Sequence, residues 1–299
     1  VFRDRLKVAF FGLPLAAVLL AEDGHEIVYA AACRRAPGFR RLALRIAPGR
    51  MSLRPDLTRA AAQATLRAAA PDLLVSWFWT AKLPPEILCI APAVGVHPSL
   101  LPRHRGPDPY FWAIDCGDEV TGVTAHRLDA EYDTGAILGQ RELPIQPSWN
   151  ALRLARALDR PSLALLREVV RAFAGEKPLP ETPQDERRAT LAPEPTEDDL
   201  AIRWSWPAVR IERHVRAAAP WPGAWTEVGD RIVTLARVRP TDDFPRALAT
   251  AEAAVRGDGV AVVRAGDGAI ELLEGRSGDD DDIPLSWQDL AWLVETVRG

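Results

Sequence analysis

The chain has 299 residues, 47% of them apolar and 26% charged. That is the make-up of a globular protein with material for one large or two ordinary domains, and it excludes disorder throughout. The net charge of −4 is uneven: residues 1–196 carry 25 Lys and Arg against 22 Asp and Glu, whereas residues 197–299 carry 12 against 19. An acidic C-terminal part is a poor electrostatic surface for nucleic acid. No apolar run approaches the ~18 residues of a membrane span, and Val1 to Arg5 leads into strand-like sequence rather than a signal peptide. A membrane partner is therefore not expected, and a cytoplasmic location is. Cys33, Cys89 and Cys116 lie far apart, with no CxxC pair and no Cys/His cluster of metal-ligand spacing. Small buried thiols are the expectation, and no metal.

In chain order, Leu6 to Phe11 is an apolar run closed by Gly12 and predicts a strand. Pro14 to Glu22 follows as a short helix, and Glu26 to Ala31 as a second strand. Strand, helix and strand in such close succession predict a βαβ unit and a parallel sheet. Leu57 to Ala69 is Ala-rich and helix-prone, with Pro55-Asp56 as its expected cap. Leu73 to Ser76 and Ala93 to Val96 read as further buried strands. Residues 1–175 are thus expected to form a doubly wound α/β domain with a mostly parallel sheet. Trp149 to Ala174 is helical in pattern, with a break expected at Asp159-Arg160-Pro161.

Residues 176–197 hold prolines at 178, 180, 183, 193 and 195 and read as a linker. Residues 198–299 have another texture. A helix near Pro207 to Ala218 precedes short alternating runs at Trp225 to Val228, Arg231 to Val238, Val260 to Arg264 and Ala269 to Leu273. Gly229-Asp230 and Gly266-Asp267-Gly268 supply hairpin turns, so a smaller β-barrel domain is expected. Asp279 to Asp282 reads as a solvated loop without EF-hand spacing. Ser286 and Asp289 form a capping pattern for a closing helix to Val297.

The stretch most suggestive of chemistry runs from Gly95 to Gly106: a strand through His97 that turns into a loop punctuated by Pro98, Pro102 and Gly106. Carboxyl ends of parallel strands are where α/β folds place ligands. Gly95, His97 and Ser99 share one face if the strand stays extended. An extended run from Gly122 to Leu128 leads into Asp129-Ala130-Glu131-Tyr132-Asp133-Thr134-Gly135, where a carboxylate in a tight turn accepts several hydrogen bonds. Asp133 is a turn-former or a functional acid, and His97 a core histidine or a site residue.

His97-Pro98-Ser99-Leu100-Leu101-Pro102, Arg105-Gly106, Thr121-Gly122-Val123-Thr124 and Asp133-Thr134-Gly135, in this order, resemble the folate-dependent formyltransferases. Within them the sequence is most similar to the methionyl-tRNA and sugar N-formyltransferases. Pro71 to Val75 and Leu83 to Leu88 match upstream, and Ala219 to Trp225 resembles the start of the family's C-terminal domain. The resemblance implies formyl transfer from 10-formyltetrahydrofolate to an amine. It gives His97 the stabilisation of a tetrahedral oxyanion and Asp133 the orientation of His97 and relay of the amine proton. Folate is then expected in a crevice by Trp77, Phe78, Trp79 and Leu83, with Asp129 to Asp133, Tyr132 among them, forming part of its wall. Trp77 to Trp79 also fit the end of a core strand.

One family position differs: the Asn two residues before the histidine is Gly95 here. Losing one such preorganised donor typically lowers rate by about 10²–10³. Three functions are compatible with this change. The first is transfer to an amine, with Ser99, backbone or water in place of the Asn. The others are hydrolysis of the formyl donor and a non-catalytic descendant that binds a ligand. As acceptor, initiator tRNA agrees with the two-domain layout, and a small amine or nucleotide sugar with the charge. Arg34, Arg35, Arg40, Arg41, Arg45 and Arg50 form either a phosphate-contacting stretch or a solvated face.

Overall fold

The computed structural model describes residues 5–175, 179–278 and 283–298; the Asp279 to Asp282 loop lies outside them. Its elements are β1 (Lys7–Gly12), α1 (Pro14–Glu22), β2 (Glu26–Ala32), α2 (Phe39–Ala43), β3 (Met51–Leu53), α3 (Ala60–Ala69), β4 (Leu73–Trp77), α4 (Pro85–Leu88) and β5 (Ala93–His97). Then come α5 (Pro109–Asp115), β6 (Val120–Arg127), β7 (Ile137–Pro144), α6 (Ala151–Phe173), α7 (Glu197–Leu200) and α8 (Ala208–Ala218). The remainder is β8 (Ala224–Val228), β9 (Arg231–Thr241), β10 (Ala253–Val255), β11 (Ala261–Arg264), β12 (Ala269–Ser277), β13 (Pro284–Ser286) and α9 (Trp287–Arg298). The chain divides into two compact units, one of residues 1–109, 120–144 and 157–193, the other of residues 110–119, 145–156 and 194–299.

The first unit is built on a seven-stranded sheet ordered β3-β2-β1-β4-β5-β6-β7. Strands β3 through β5 are parallel; β6 and β7 are antiparallel additions, so the sheet is mixed. The parallel strands are near-continuous apolar runs because both their faces are covered. On one face Ala9, Phe11, Leu74 and Ala93 pack with Leu66 of α3 and Ile87 of α4. On the other, Trp77 Nε1 donates to Ser162 Oγ of α6 at 2.7 Å. Strand order reverses between β1 and β4, where Gly12 closes β1 with φ of +129°. A Cβ there would lie 1.8 Å from the Trp77 carbonyl oxygen, so only glycine allows this approach.

Two helix expectations need correction. Asp56 is not the α3 cap: its Oδ1 accepts from the Thr58 amide at 3.1 Å in a turn before the helix, whose N-cap residue is Arg59. The break at Asp159–Pro161 does not occur, since α6 runs through Pro161 as one helix. Pro161 forfeits one hydrogen bond, but Leu158, Leu165, Leu166, Val169 and Val170 keep one buried stripe on both sides of it.

The second unit carries an antiparallel six-stranded sheet ordered β10-β11-β12-β9-β8, with β13 on β12. This is an open half-barrel and corrects the expected barrel: among the described residues nothing pairs β8 with β10. The β12–β9 pairing shifts register around Glu274, which bends the sheet, but β10 and β13 have only three residues each to carry a closure. The capping pattern before α9 is present, with Ser286 Oγ donating to Asp289 Oδ2 at 2.6 Å. Of the cysteines, Cys89 and Cys116 are exposed and Cys33 half-buried, so none is the buried thiol expected.

Candidate functional site

β5 ends on the face of the sheet that carries α3 and α4. The ladder sets Ser76 of β4, Gly95 of β5 and His126 of β6 side by side, with His97 opposite Thr124 one pleat further. Directly paired residues share a face and so do i and i+2, so Gly95, His97, Thr124 and His126 project together. His97 is buried, and its Nε2 lies 2.7 Å from the carbonyl oxygen of His104. A carbonyl only accepts, so Nε2 carries the proton and Nδ1 turns towards Asp133, whose Oδ2 is 3.4 Å away.

His126 mirrors this arrangement. Its Nδ1 donates to the Arg127 carbonyl at 2.7 Å, and Nε2 faces Asp133 Oδ1 at 3.5 Å. Burial holds the His126 imidazole below its ordinary pKa; the Asp133 carboxylate opposes that shift and His97 reinforces it. One carboxylate thus lies between two imidazoles whose other nitrogens are tied to the main chain. Nδ1 of His97 and Nε2 of His126 both face this carboxylate, and burial favours the neutral His126 ring. His126 was missed by sequence reasoning. The available signal was its alternation with Thr124 on an extended run opposite the strand that carries His97.

Asp133 sits at φ of +57°, uncommon for a residue with a side chain, as does His104 with the same value. The Asp133 turn is fastened from several directions. The Gly106 amide donates to Oδ2 at 3.0 Å, and Gln184 Nε2 donates to the main-chain oxygens of Asp133 and Gly135, both at 2.8 Å.

The other expected residues divide. Ser99 is fully buried, and its hydroxyl donates to the Arg103 carbonyl at 2.6 Å while its own carbonyl accepts from Thr124 Oγ1 at 2.7 Å. It holds the loop, with its proton engaged at the Arg103 carbonyl. Trp77 points to α6 on the opposite face of the sheet. Trp79 and Leu83 pack on the core face that bears the site, while Phe78 stacks edge-on against Trp77 with centroids 4.7 Å apart. Across from them, Tyr132 Oη donates to the Thr80 carbonyl at 3.5 Å and Lys82 pairs with Glu131 at 2.8 Å. Asp129 Oδ1 accepts from Thr134 Oγ1 at 2.7 Å and shapes that second wall. Residues 80–82 and 131–132 therefore lie against one another.

At Gly95 no side chain supplies a donor. A Cβ built there would lie 2.9 Å from Leu128 Cδ2 and 3.6 Å from the Ser76 carbonyl oxygen, so Leu128 takes the room in which a longer side chain would begin. Among the described residues no group of three or more His, Cys, Asp or Glu side chains is arranged to hold a metal ion, and no helix is long and apolar enough to cross a membrane.

Comparison with known proteins agrees with this architecture. Residues 36–170 match the formyl transferase family and residues 195–287 the formyl transferase C-terminal domain. A methionyl-tRNA formyltransferase of Anaeromyxobacter dehalogenans (strain 2CP-C) is 35% identical over 292 residues, covering 91% of this chain and 93% of that protein. A crystal structure of HypX from Aquifex aeolicus in complex with tetrahydrofolic acid superposes with a TM-score of 0.65 at 22% identity, over 98% of this chain and 48% of that one. An N-formyltransferase from Helicobacter canadensis, in complex with folinic acid and dTDP-3-aminofucose, gives 0.63 at 13% identity over 89% of this chain and 98% of that one. Those two likenesses concern the fold. The matched domains, in order along the chain, and the relative aligned across nearly its whole length show that this chain belongs to the formyltransferase family.

Proposed function

We propose that this protein transfers a formyl group from 10-formyltetrahydrofolate to an amine, with the methionyl group on initiator tRNA as the acceptor. The observation that carries the reading is the His97–Asp133 couple at the carboxyl end of β5. The relative from Anaeromyxobacter dehalogenans supports the acceptor, and the complexes of HypX and the Helicobacter canadensis enzyme with folates support the donor. In this reaction the amine lone pair attacks the formyl carbon, the bond from that carbon to N10 of the folate breaks, and the amine proton ends on N10. Asp133 accepts the proton as the amine becomes an amide and returns it to N10, and His97 holds the carboxylate and shares that proton. His97 stays in one orientation because His104 anchors its far nitrogen.

A second reading is hydrolysis of the formyl donor, which needs no amine acceptor. With Gly95 no carboxamide is offered to the oxyanion, which raises the barrier to attack by amine and by water alike. The test is to incubate the protein with 10-formyltetrahydrofolate and follow tetrahydrofolate release, first without acceptor, then with methionyl-initiator tRNA and with an amino-sugar panel. tRNA-dependent release is the expected result. Release in the absence of any acceptor establishes the hydrolase instead, and release only with amino sugars reassigns the acceptor.

A further inference from the structure

The segment after α6 has the composition of a spacer, yet its described part from residue 179 to Pro193 belongs to the first compact unit. Thr182 pairs with Ile137 and Leu191 with Arg105 as isolated bridges. It runs along the loop that follows His97. The Arg105 amide donates to the Thr190 carbonyl at 2.9 Å, the Ala192 amide to the Arg105 carbonyl at 2.7 Å, and the His104 amide to Thr190 Oγ1 at 2.8 Å. Gly106 makes this contact possible: at φ of +125° a Cβ would lie 2.7 Å from the Ala192 carbonyl oxygen. The same Gly106 donates its amide to Asp133.

Gln184 joins this segment to the site. Its Oε1 accepts from Arg105 Nε at 3.1 Å and Nη2 at 2.8 Å, while its Nε2 donates to the carbonyls of Asp133 and Gly135. All the strong hydrogen-bonding capacity of one carboxamide is thus divided between the loop after β5 and the left-handed turn at Asp133. Arg105 is itself buried and fixed by a bidentate pair to Glu186, with Nη1 to Oε2 at 2.8 Å and Nη2 to Oε1 at 2.7 Å. Two features carry the argument. The Asp133 backbone conformation is one that an unsupported chain disfavours, and Gln184 is bonded to its main-chain oxygen.

We propose that Gln184, braced by Arg105 and Glu186, is a positioning residue that holds the Asp133 turn in register with His97, so that the segment following α6 is part of the reaction apparatus. The proposal rests on the formyl-transfer reading for its kinetic consequence, but its geometric consequence stands apart from it. Without the carboxamide, the Asp133 carbonyl loses its donor and the turn is free to relax, moving the carboxylate relative to His97 Nδ1. Misplacement of about 1 Å at such a site lowers turnover by up to about 10²-fold.

The experiment uses the full chain in three forms: wild type, Gln184→Ala, and Gln184→Glu, which keeps an acceptor for Arg105 but cannot donate to Asp133 and Gly135. Arg187→Ala is the control, because Arg187 lies on the same segment but pairs only with Asp185 among the bonds described. The first readout is steady-state formyl transfer. Both Gln184 variants are expected to lose about tenfold or more in kcat, with KM for 10-formyltetrahydrofolate changed less than about twofold. The second is the set of nitrogen-15 and carbon-bound proton chemical shifts of the His97 imidazole at fixed pH, which needs no turnover. They are expected to move in both Gln184 variants and to stay in Arg187→Ala. If wild type transfers no formyl group while these signals still move, the functional reading fails and the positioning role survives. Folded Gln184 variants with unmoved signals and unchanged kcat overturn the proposal, as does an equal change in Arg187→Ala.

Discussion

Leu128 Cδ2 lies 2.9 Å from the point at which a Cβ on Gly95 would stand, so the two residues occupy one space between them. The obstruction is the end of a flexible side chain rather than backbone, and it can be cleared. Under formyl transfer, Gly95→Asn restores a donor beside the formyl oxygen only where Leu128 yields. The double variant Gly95→Asn with Leu128→Ala is therefore expected to exceed both wild type and Gly95→Asn in kcat, by about tenfold or more, out of the 10²–10³ that one such donor supplies elsewhere. Single-turnover rates with saturating donor measure it. Equal rates in all three proteins would show that the oxyanion is held by another group.

His126 makes acid stability a measurable property of the site. Its folded pKa is depressed, chiefly by burial, from an ordinary 6.5. The unfolded chain therefore binds a proton at this residue at a pH where the folded protein does not, and stability falls as pH drops below about 6.5. The loss continues until the pH reaches the folded pKa, below which both states are protonated. In His126→Gln this contribution is absent. Melting temperatures recorded between pH 7.5 and 5 should fall less steeply for the variant than for wild type, and parallel curves would show that His126 titrates alike in both states.

A second buried charge cluster lies within the second unit. Asp115 of α5 is 5% exposed and receives both terminal nitrogens of Arg210, with His214 Nδ1 at 2.8 Å from its Oδ1 and Arg213 Nε donating to its carbonyl at 3.0 Å. Burial would raise the Asp115 pKa, but His214 and Arg210 outweigh it and hold the carboxylate below its ordinary value. Its contribution is present above the unfolded value near 3.8 and is lost as pH falls through the lower folded pKa. Asp115→Ala leaves a guanidinium and an imidazole with their shared acceptor removed, and is expected to destabilise by about 3–5 kcal/mol. Urea unfolding at pH 7 measures this. A change below about 1 kcal/mol would mean that water replaces the carboxylate.

How far the sequence discloses these arrangements depends on how local the determining interaction is. β1, α1, β2 and α8 stand close to their predicted limits because an apolar run bounded by Gly12, Pro14 or Pro207 is a local signal. β3 and β10, three residues each, leave no such signal, and β7 lies at the sheet edge with a mixed burial pattern. Pro161 misleads because its one lost bond is outweighed by a stripe visible only when α6 packs. His97 and Asp133 are legible as a pair through the order of their motifs. Ser99 is not, since its role depends on which carbonyl lies near its hydroxyl. Gln184 is the extreme case: its partners Arg105 and Asp133 are 79 and 51 positions away, and the proline-bearing stretch around it looks like a spacer.

The arginine-rich stretch after β2 distinguishes the acceptors. Arg41 and Arg45 pair with Glu22 at 2.6 and 3.4 Å, and Arg50 Nη1 donates to the Val28 carbonyl at 3.3 Å, so these three are committed to the fold. Arg34, Arg35 and Arg40 are exposed. With initiator tRNA as the acceptor they are the guanidiniums available to its phosphates, and each contact releases counterions. Replacing the three by Ala is expected to raise KM for tRNA and to flatten its dependence on salt, the slope of log affinity against log salt falling by up to about 0.9 per lost contact. Tetrahydrofolate release with a small amine acceptor should stay within about twofold of wild type. Titrations between 50 and 200 mM potassium chloride measure both. A salt slope equal to that of wild type would remove these arginines from the acceptor surface and shift the weight to a small amine.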